Sequence, residues 1–306
     1  MGLLTRWRQQ RARRAGKRID VVEERGRLRQ WLLLAGRCES SSLNAPDAAS
    51  LQPIYPPDDA FWADPFCWSR DGRYFVFFEE FPFAQRRGHI SAIALASDGR
   101  PTGEPFRVLT EPYHLASPFL FERDGELYMV PEKRAAKRVD LYRCVQFPER
   151  WEYVRTLLDG MALADPTLFE HDGRWWLFCA AASGRMRVNE SLVAFYADDP
   201  LSDRWVAHQG NPLVRDFSHG RPAGRVFHHD SGSLLRPSQN CVRRYGYGLN
   251  LGEIVSLSPT RYEERLVWYT NGVQGGGWRG LHHLDWHRGI IVMDAQRLIP
   301  ETTTRR

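Results

Sequence analysis

The sequence has little cysteine, and the cysteines that are present form no recognisable site. Five are scattered along the chain, namely Cys38, Cys67, Cys144, Cys179 and Cys241. The absence of a Cys-x-x-Cys pair excludes the usual zinc and dithiol motifs, and an odd number at irregular spacing argues against a disulfide framework. We therefore expect a reduced protein that needs neither a metal ion nor a cofactor.

Long apolar runs are also missing from the sequence. No stretch approaches the roughly 18 apolar residues of a membrane-spanning helix. No apolar signal-peptide core follows the basic N-terminus. These two absences predict a soluble protein of the cytoplasm.

Acidic residues are absent from residues 1–18, which contain seven arginines and lysines. Removing this +7 from the net charge of +5 leaves about −2 for the rest of the chain. A body without a basic patch predicts no nucleic-acid partner. The tail has two interpretations: a solvated N-terminus, or a peripheral contact of residues 1–18 with anionic lipid at the inner membrane face.

What the sequence does contain is a repeated phrase. It occurs as "FWADPFCWSRDGRYFVFFEE", "HLASPFLFERDGELYMVPE" and "ALADPTLFEHDGRWWLFCA". Alignment on Gly72, Gly125 and Gly173 places Asp64, Ser117 and Asp165 in one equivalent slot. Two weaker copies have Gly232 and Gly289 as turn glycines, with Gly224 and Leu281 in the Asp slot.

The repeat predicts the fold. Short apolar runs on either side of Asp-Gly are typical of β-hairpins, and each unit continues with a further strand candidate. A period near 50 residues with about four strands per unit indicates a propeller. We predict an all-β, five-bladed β-propeller over residues 56–300, with blades starting near residues 60, 113, 161, 222 and 279.

The predicted domain boundaries leave an extension at each end. Residues 1–55 form a basic N-terminal extension and linker, with a predicted helix in "VVEERGRLRQWLLLAG". Residues 301–306 form a short tail.

The two aspartates of the repeat are the candidate catalytic residues. The first strands of propeller blades line the central channel, so Asp64 and Asp165, two blades apart, would face each other across its mouth. Paired carboxylates carry out acid–base work in glycosyl chemistry. The alternative is that Asp-Pro only starts a strand and caps nearby amides. The serine in the second copy argues against that alternative, because a purely geometric requirement would apply there too.

A later segment carries a family resemblance. "RPAGRVFHHDSGSLLRPSQNCVRRYGYGLNLGEIVSL" and "GLHHLDWHRGIIVMDAQR" resemble the N-terminal domain of glucosamine inositolphosphorylceramide transferases. The Ala-Asp-Pro phrases are similar, more distantly, to the five-bladed glycoside hydrolases of family 43. The resemblance covers roughly residues 55–297 and implies a propeller that acts on carbohydrate.

The hydrolase resemblance implies residue roles that this chain matches only in part. Asp64 matches the general base of the first blade, and Asp165 matches the residue that orients and tunes the site. The general acid of that family is a glutamate in the fourth blade, where this chain has Gly224. The departure puts simple hydrolysis in doubt but leaves the inference of sugar binding intact.

Other polar residues are candidates for substrate binding. Guanidinium forks suit phosphate or carboxylate groups of an activated sugar, and spare carboxylates on strands could replace the missing acid. The predicted substrate-binding set is Glu132, Arg225, Arg236, Gln239, Asn240, Glu253, His282 and His283. Glu79 and Glu80 are adjacent in a strand, so at most one of them points inward.

The histidine-rich phrase "GLHHLDWH" invites a metal interpretation, which we reject. In a strand, His283 and Asp285 share one face while His282 lies on the other, and the spacing supplies no third ligand. We expect one histidine to donate a hydrogen bond to sugar hydroxyls. The same caution applies to His228, His229 and Asp230.

Three functions remain open at this point. The favoured one is a glycosyltransferase or transglycosylase in surface-polysaccharide or glycolipid assembly, with a carbohydrate or activated sugar as substrate. The second is a glycoside hydrolase of the propeller type. The third is a glycan-binding module without catalysis, because a fold does not determine a function.

Overall fold

A computed structural model of the chain describes residues 27–300. These residues form five antiparallel β-sheets arranged as the blades of a propeller, so the predicted fold class is confirmed. The basic segment 1–18 and the tail 301–306 lie outside the described residues.

Each blade has four or five strands. Blade one comprises β3–β6, which are Ala60–Arg70, Arg73–Pro82, His89–Leu95 and Phe106–Leu109. Blade two comprises β7–β10, which are Ala116–Arg123, Glu126–Glu132, Arg138–Gln146 and Arg150–Asp159. Blade three comprises β11–β15, which are Leu163–His171, Arg174–Ala181, Ser191–Ala197, Val206–Ala207 and Val214–Arg215. Blade four comprises β16–β19, which are Phe227–His228, Leu234–Asn240, Gly248–Ser258 and Arg261–Asn271. Blade five comprises β1, β2, β20 and β21, which are Arg27–Arg37, Gln52–Ile54, Gly280–His287 and Ile290–Pro300.

Helical structure is confined to four short 3-10 turns in residues 27–300. They are Ser40–Ser42, Ala48–Ser50, Arg134–Ala136 and Val188–Glu190. None of the helices in the described part of the chain is long and apolar enough to cross a membrane.

The repeated Asp-Gly pairs form the hairpin turns that the sequence predicts. Asp71 and Gly72 have φ of 53° and 72°, and Asp124 and Gly125 have φ of 53° and 79°. Positive φ at both central residues is the geometry of a type I′ turn, which matches the twist of the flanking strands. Glycine adopts it freely, and aspartate is among the few other residues that tolerate it.

The predicted helix around "RLRQWLLLAG" is wrong, because residues 27–37 form the eleven-residue strand β1. Leu32 and Leu34 pack into one buried cluster, whereas Leu33 and Ala35 pack into another. Alternate side chains of a strand point to opposite faces, so a continuous apolar run fits a strand that is covered on both faces. Tertiary packing thus overrides the helix propensity of a leucine run.

The same strand moves the predicted domain boundary. β1 pairs with β21 over its whole length, from Arg27 opposite Pro300 to Arg37 opposite Ile290. The blade order is β2-β1-β21-β20, so an N-terminal strand and the C-terminal strands complete one sheet. The propeller therefore begins at β1 and not at residue 56. This pairing closes the ring and joins the two ends of the described chain.

Candidate functional site

The Asp slot of the repeat is a β-bulge on the innermost strand. In blade one the register shifts between Ala63 and Phe66, so that two residues of β3 lie opposite one residue of β4. Blades two and three have the same shift at the repeated phrase. At the slot, Asp64, Ser117 and Asp165 have φ of 52°, 42° and 51°. Such φ values are uncommon for residues other than glycine and are often found at functional sites.

The serine of the second copy shows that this backbone does not require a carboxylate. Ser117 adopts the same left-handed conformation as Asp64 and Asp165. The bulge geometry therefore explains the repeat, but it does not explain why two of the three copies have an acidic side chain there.

Blade five has a different residue in this slot from the one that the sequence predicted. Its bulge falls between Leu281 and Leu284 and contains His282 and His283. The slot therefore holds a histidine, not Leu281, because the inner strand of this blade is one residue shorter between bulge and turn. Asp294 on β21 lies opposite the bulge.

Carboxylates of neighbouring blades bind the bulge amides. The amide of Asp64 donates to Oδ2 of Asp294 at 3.0 Å, and the amide of Asp165 donates to Oε2 of Glu132 at 3.1 Å. Oδ1 of Asp294 accepts from the amides of both His282 and His283, each at 3.0 Å. Glu79 occupies the same position in blade one as Glu132 does in blade two. We call Asp64, Glu79, Glu132, Asp165 and Asp294 the carboxylate cluster.

His282 connects two members of the carboxylate cluster. Its Nδ1 lies 2.7 Å from Oδ2 of Asp294, and its Nε2 lies 3.4 Å from Oδ1 of Asp64. The ring stacks on Trp31 of β1, with centroids 4.0 Å apart. All three side chains of this Asp294–His282–Asp64 triad are buried. The strand that closes the propeller thus also fixes the histidine.

Arg221 pairs with Asp165 on the other side of the cluster. Its Nε donates to Oδ2 at 2.6 Å and its Nη2 donates to Oδ1 at 3.2 Å. Nη1 of Arg221 donates to Oδ1 of Asn189 at 2.8 Å. This bidentate geometry is the strongest arrangement of an arginine and a carboxylate, and it holds Asp165 in one orientation.

Burial and mutual repulsion change the acidity of the cluster. Burial raises the pKa of Asp64 to about 7, with Asp165 and Asp294 adding to the rise and His282 opposing it. Burial and the same neighbouring charges raise the pKa of Glu79 well above its ordinary value. Asp64 therefore exchanges a proton near neutral pH, which is the property of a general acid or base.

The pKa values of the two adjacent histidines shift in opposite directions. Burial alone would lower the pKa of His282, but Asp294 and Asp64 raise it above its ordinary value. Burial lowers the pKa of His283 to about 4, so this ring is neutral at pH 7. Among the described residues, Nε2 of His283 has no hydrogen-bond partner. This nitrogen is buried and lies close to Gly224.

The triad has the spacing of a metal site, but its groups already satisfy one another. Ligand atoms of Asp64, His282 and Asp294 all lie within 4.8 Å of one another. Both oxygens of Asp294 accept backbone hydrogen bonds, and each ring nitrogen of His282 faces a carboxylate. We therefore assign these residues as an ion-pair triad and not as metal ligands.

The structure brings three of the predicted substrate-binding residues to the two aspartates. Glu132, His282 and His283 contact Asp64 or Asp165 directly, as described above. Arg225 lies deeper, where its Nε donates to Oδ1 of Asp285 at 2.8 Å and its Nη1 donates to the carbonyl of Leu120 at 2.7 Å. This arginine ties blades two and five together.

The remaining predicted residues make their contacts within blade four and the segment before it. Arg236 pairs with Glu264 at 2.8 Å, and Gln239 donates to the carbonyl of Pro222 at 3.2 Å. Asn240 accepts from the amide of Val242 at 3.2 Å, and Glu253 accepts from Ser233 at 2.8 Å. The guanidinium of Arg236 is committed to Glu264 and to the carbonyl of His219, to which its Nη2 donates at 2.7 Å.

Gly224 stands where the resembled hydrolases have their acid, and no side chain fits there. Its φ is +132°, and a Cβ would lie 1.8 Å from the carbonyl oxygen of Leu284. The amide of Leu284 also donates to the carbonyl of Ala223 at 2.8 Å. The chain at this slot therefore packs directly against the innermost strand β20.

Two cavities among the described residues lie away from the carboxylate cluster. Their volumes are about 410 and 560 Å³, and both are lined by His171 and His228. His171 ends β11, the strand whose opposite end carries Asp165. Glu253 lines the smaller cavity, which separates it from the other predicted site residues.

Sequence reasoning missed several residues of the site. Arg221 lies in an arginine-rich segment in which no motif singles it out, and Trp31 lies in the wrongly predicted helix. Asp294 had a signal: it is a single acid inside the apolar run "IIVMDA". A buried acid in such a run needs a partner. For Glu79, strand alternation correctly limited the choice to one of two residues, and Glu80 instead accepts from Ser91 at 2.6 Å.

Comparison with solved structures shows the same fold at low identity. A family 117 glycoside hydrolase of Zobellia galactanivorans has a TM-score of 0.56 at 12% identity, covering 87% of this chain and 90% of the other. The catalytic domain of a family 62 α-L-arabinofuranosidase of Coprinopsis cinerea has a TM-score of 0.57 at 12% identity, covering 82% and 95%. These likenesses concern the propeller fold alone.

Comparison with curated proteins gives closer relatives. Glucosamine inositolphosphorylceramide transferase 1 of Oryza sativa subsp. japonica is 34% identical over 262 residues, which is 80% of this chain and 34% of that protein. The protein of the same name from Arabidopsis thaliana is 34% identical over 234 residues, covering 74% and 30%. The chain thus spans about a third of the length of these relatives.

The family model for "Glucosamine inositolphosphorylceramide transferase 1, N-terminal" matches residues 48–294. That range contains the repeated phrases, the whole carboxylate cluster and the Arg221 fork. The match confirms the resemblance that the segments after residue 220 predicted. The chain belongs to the family of the N-terminal domain of glucosamine inositolphosphorylceramide transferase 1.

Proposed function

We propose that this propeller binds a carbohydrate at the carboxylate cluster and takes part in glycosyl transfer to a glycolipid acceptor. The relatives' name specifies an inositolphosphorylceramide, a lipid whose headgroup can accept a sugar. One observation carries the proposal: Asp64 is buried on a strained bulge, contacts His282, and has a pKa of about 7.

Asp64 is suited to accept the proton of an attacking hydroxyl. As the acceptor oxygen bonds to the anomeric carbon, its proton passes to the carboxylate of Asp64 and the bond to the leaving group breaks. The ring of His282, whose pKa is raised by Asp294 and Asp64, faces the same carboxylate and when protonated stabilises its ionised form before the transfer. Asp165, held by Arg221, and the neutral ring of His283 offer hydrogen bonds that orient sugar hydroxyls.

Glycoside hydrolysis is the second candidate, and Glu79 favours it. Hydrolysis needs a protonated acid beside the base, and the resembled acid position is occupied by Gly224. Burial and the neighbouring carboxylates raise the pKa of Glu79 well above its ordinary value, which favours the protonated form of this carboxyl close to Asp64. Glu79 would then give its proton to the leaving oxygen while Asp64 activates water.

The third candidate, a glycan-binding module without catalysis, needs only the polar groups of the cluster. It gains support from the length of the relatives, since two thirds of each lies beyond the segment matched here. In this interpretation the propeller presents a glycan to chemistry that takes place elsewhere.

An Asp64→Asn variant distinguishes the three candidates. Asparagine tolerates the left-handed backbone, so the bulge is retained while the proton acceptor is lost. The matched control is Asp71→Asn, because Asp71 has φ of 53° but lies in the exposed hairpin turn. Both proteins are assayed for transfer from a panel of nucleotide sugars to glycosyl inositolphosphorylceramide, and for hydrolysis of nitrophenyl glycosides.

Glycosyl transfer is expected in the wild type and in Asp71→Asn, with a loss of about 10²-fold or more in Asp64→Asn. Hydrolysis with the same dependence on Asp64 would select the second candidate. Sugar binding without turnover in all three proteins would select the binding module. An active Asp64→Asn protein would remove the catalytic role of this residue.

A further inference from the structure

We propose that Tyr245 forms the wall of the carboxylate cluster against which a sugar ring stacks, and that it selects ligands with an apolar pyranose face. This inference rests on the proposed binding of carbohydrate at the cluster. A cluster of charged groups cannot by itself supply a flat apolar surface, and Tyr245 supplies one.

The position of Tyr245 places it over both ion pairs of the site. The guanidinium carbon of Arg221 lies 4.9 Å from the centre of the phenol ring. The ring of His282 meets it edge-on, with centroids 5.1 Å apart and an interplanar angle of 84°. Tyr245 therefore contacts the residue that holds Asp165 and the residue that faces Asp64.

The side chain of Tyr245 is amphipathic in its placement. The residue is 41% exposed, although its neighbours Arg221 and His282 are buried. Burial of the hydroxyl raises its pKa well above the ordinary value, and the charges of Asp64, Asp165 and Glu79 add to this rise. The side chain of Tyr245 thus borders the carboxylate cluster and is still partly accessible to solvent.

The loop that carries Tyr245 is built to hold it there. It connects β17 to β18, and the amide of Cys241 donates to the carbonyl of Phe217 at 2.7 Å. Gly246 has φ of +67°, and a Cβ at this position would lie 2.5 Å from the ring of Trp31. The glycine of the Tyr-Gly-Tyr-Gly motif therefore lets the loop lie directly against Trp31, which fixes the approach of Tyr245.

The combination of groups fits a pyranose. One face of such a ring carries C–H groups that pack on an aromatic surface, and its edge carries hydroxyls that need acceptors and donors. Tyr245 supplies the surface, and the carboxylates of Asp64 and Asp165 supply acceptors for the hydroxyls. Sites of this kind combine an aromatic wall with a few placed polar groups.

The test measures binding of monosaccharides by the full chain and its variants. The probes are glucose, glucosamine, N-acetylglucosamine and free uridine diphosphate, followed by saturation-transfer NMR and calorimetric titration. Tyr245→Ala removes the wall and Tyr245→Phe removes only the hydroxyl. Tyr269→Ala is the matched control, because Tyr269 is 62% exposed on the outer strand of the same blade.

Tyr245→Ala is expected to weaken sugar binding by about tenfold or more, with Tyr245→Phe in between and Tyr269→Ala unchanged. Melting temperatures show whether each variant is folded. If Tyr245→Ala does not fold, Tyr245→Leu decides, because leucine keeps an apolar side chain but has no flat aromatic face, and an affinity equal to that of the wild type would overturn the stacking role. Sugar binding in which Tyr245→Ala matches the wild type overturns the inference, as does a loss confined to uridine diphosphate. Absence of any sugar binding by the wild type contradicts the proposed function instead.

Discussion

The amide of Asp64 donates to the carboxylate of Asp294 across 230 positions of sequence, at 3.0 Å. Asp294 also faces Nδ1 of His282 at 2.7 Å. One buried acid on β21 therefore positions both the candidate proton acceptor of blade one and the histidine that faces it.

Replacing Asp294 is expected to disturb stability and the site together. Asp294→Asn removes the charge that balances His282. The NH2 group of asparagine would also replace an oxygen that accepts from a backbone amide of Asp64, His282 or His283. We expect a loss of about 3 kcal/mol in the free energy of unfolding, the scale for an unpaired buried charge. Urea denaturation measures it, with the exposed turn variant Asp172→Asn as control. Equal stability of the two variants would contradict the central position of Asp294.

The fork of Arg221 gives a second prediction. Arg221→Leu leaves the carboxylate of Asp165 buried without its partner, and we expect a loss of about 3 to 5 kcal/mol. Arg261→Leu is the control. It breaks a pair with Glu263 that is also short, at 2.8 Å, but both side chains of this pair are more than half exposed. That exposed pair should contribute less than about 1 kcal/mol. Similar losses for the two variants, by thermal and urea unfolding, would refute the assignment.

The pKa of Asp64 predicts a pH dependence of stability. Because this pKa rises from 3.8 to about 7 on folding, the folded state keeps a proton that the unfolded state has released. The free energy of unfolding should therefore fall as the pH rises from about 4 to about 7, by about 1.4 kcal/mol per pH unit for one group. Above pH 7 this contribution is constant.

Asp64→Asn isolates that contribution, because asparagine does not titrate. The difference between the two stability curves therefore reports on Asp64 together with the change that loss of its charge causes in the pKa values of Glu79 and His282. We expect the variant to gain on the wild type between about pH 4 and pH 7. Parallel curves in urea unfolding over that range would show that Asp64 keeps an ordinary pKa.

The two parts of the N-terminal segment should differ in their effect on the fold. Deletion of residues 1–18 is expected to leave the melting temperature unchanged and to reduce binding to anionic vesicles, most visibly at low salt. Deletion of residues 1–37 also removes β1, exposes the edge of β21, and should abolish cooperative unfolding. Vesicle binding that survives the shorter deletion would argue against a role of the tail at a membrane face.

Much of the fold was predictable because its information is local. The Asp-Gly turns, the alternating runs around them and the period near 50 residues predict hairpins and their number. β1 was not predictable in this way. Its consecutive leucines are compatible both with a buried helix and with a strand that is buried on both faces. Only the pairing with β21 decides between the two.

The candidate site divides along the same line. The sequence by itself determined the two aspartates, because their slot recurs with the repeat and Ser117 shows that the slot tolerates other residues. Asp294 and the two histidines come beside Asp64 only through ring closure, which brings blade five beside blade one, whereas Arg221 and Tyr245 reach the cluster from blade four and the segment before it. The acidity of Asp64 depends on burial and on charges from distant segments, and these quantities exist only once the propeller has closed.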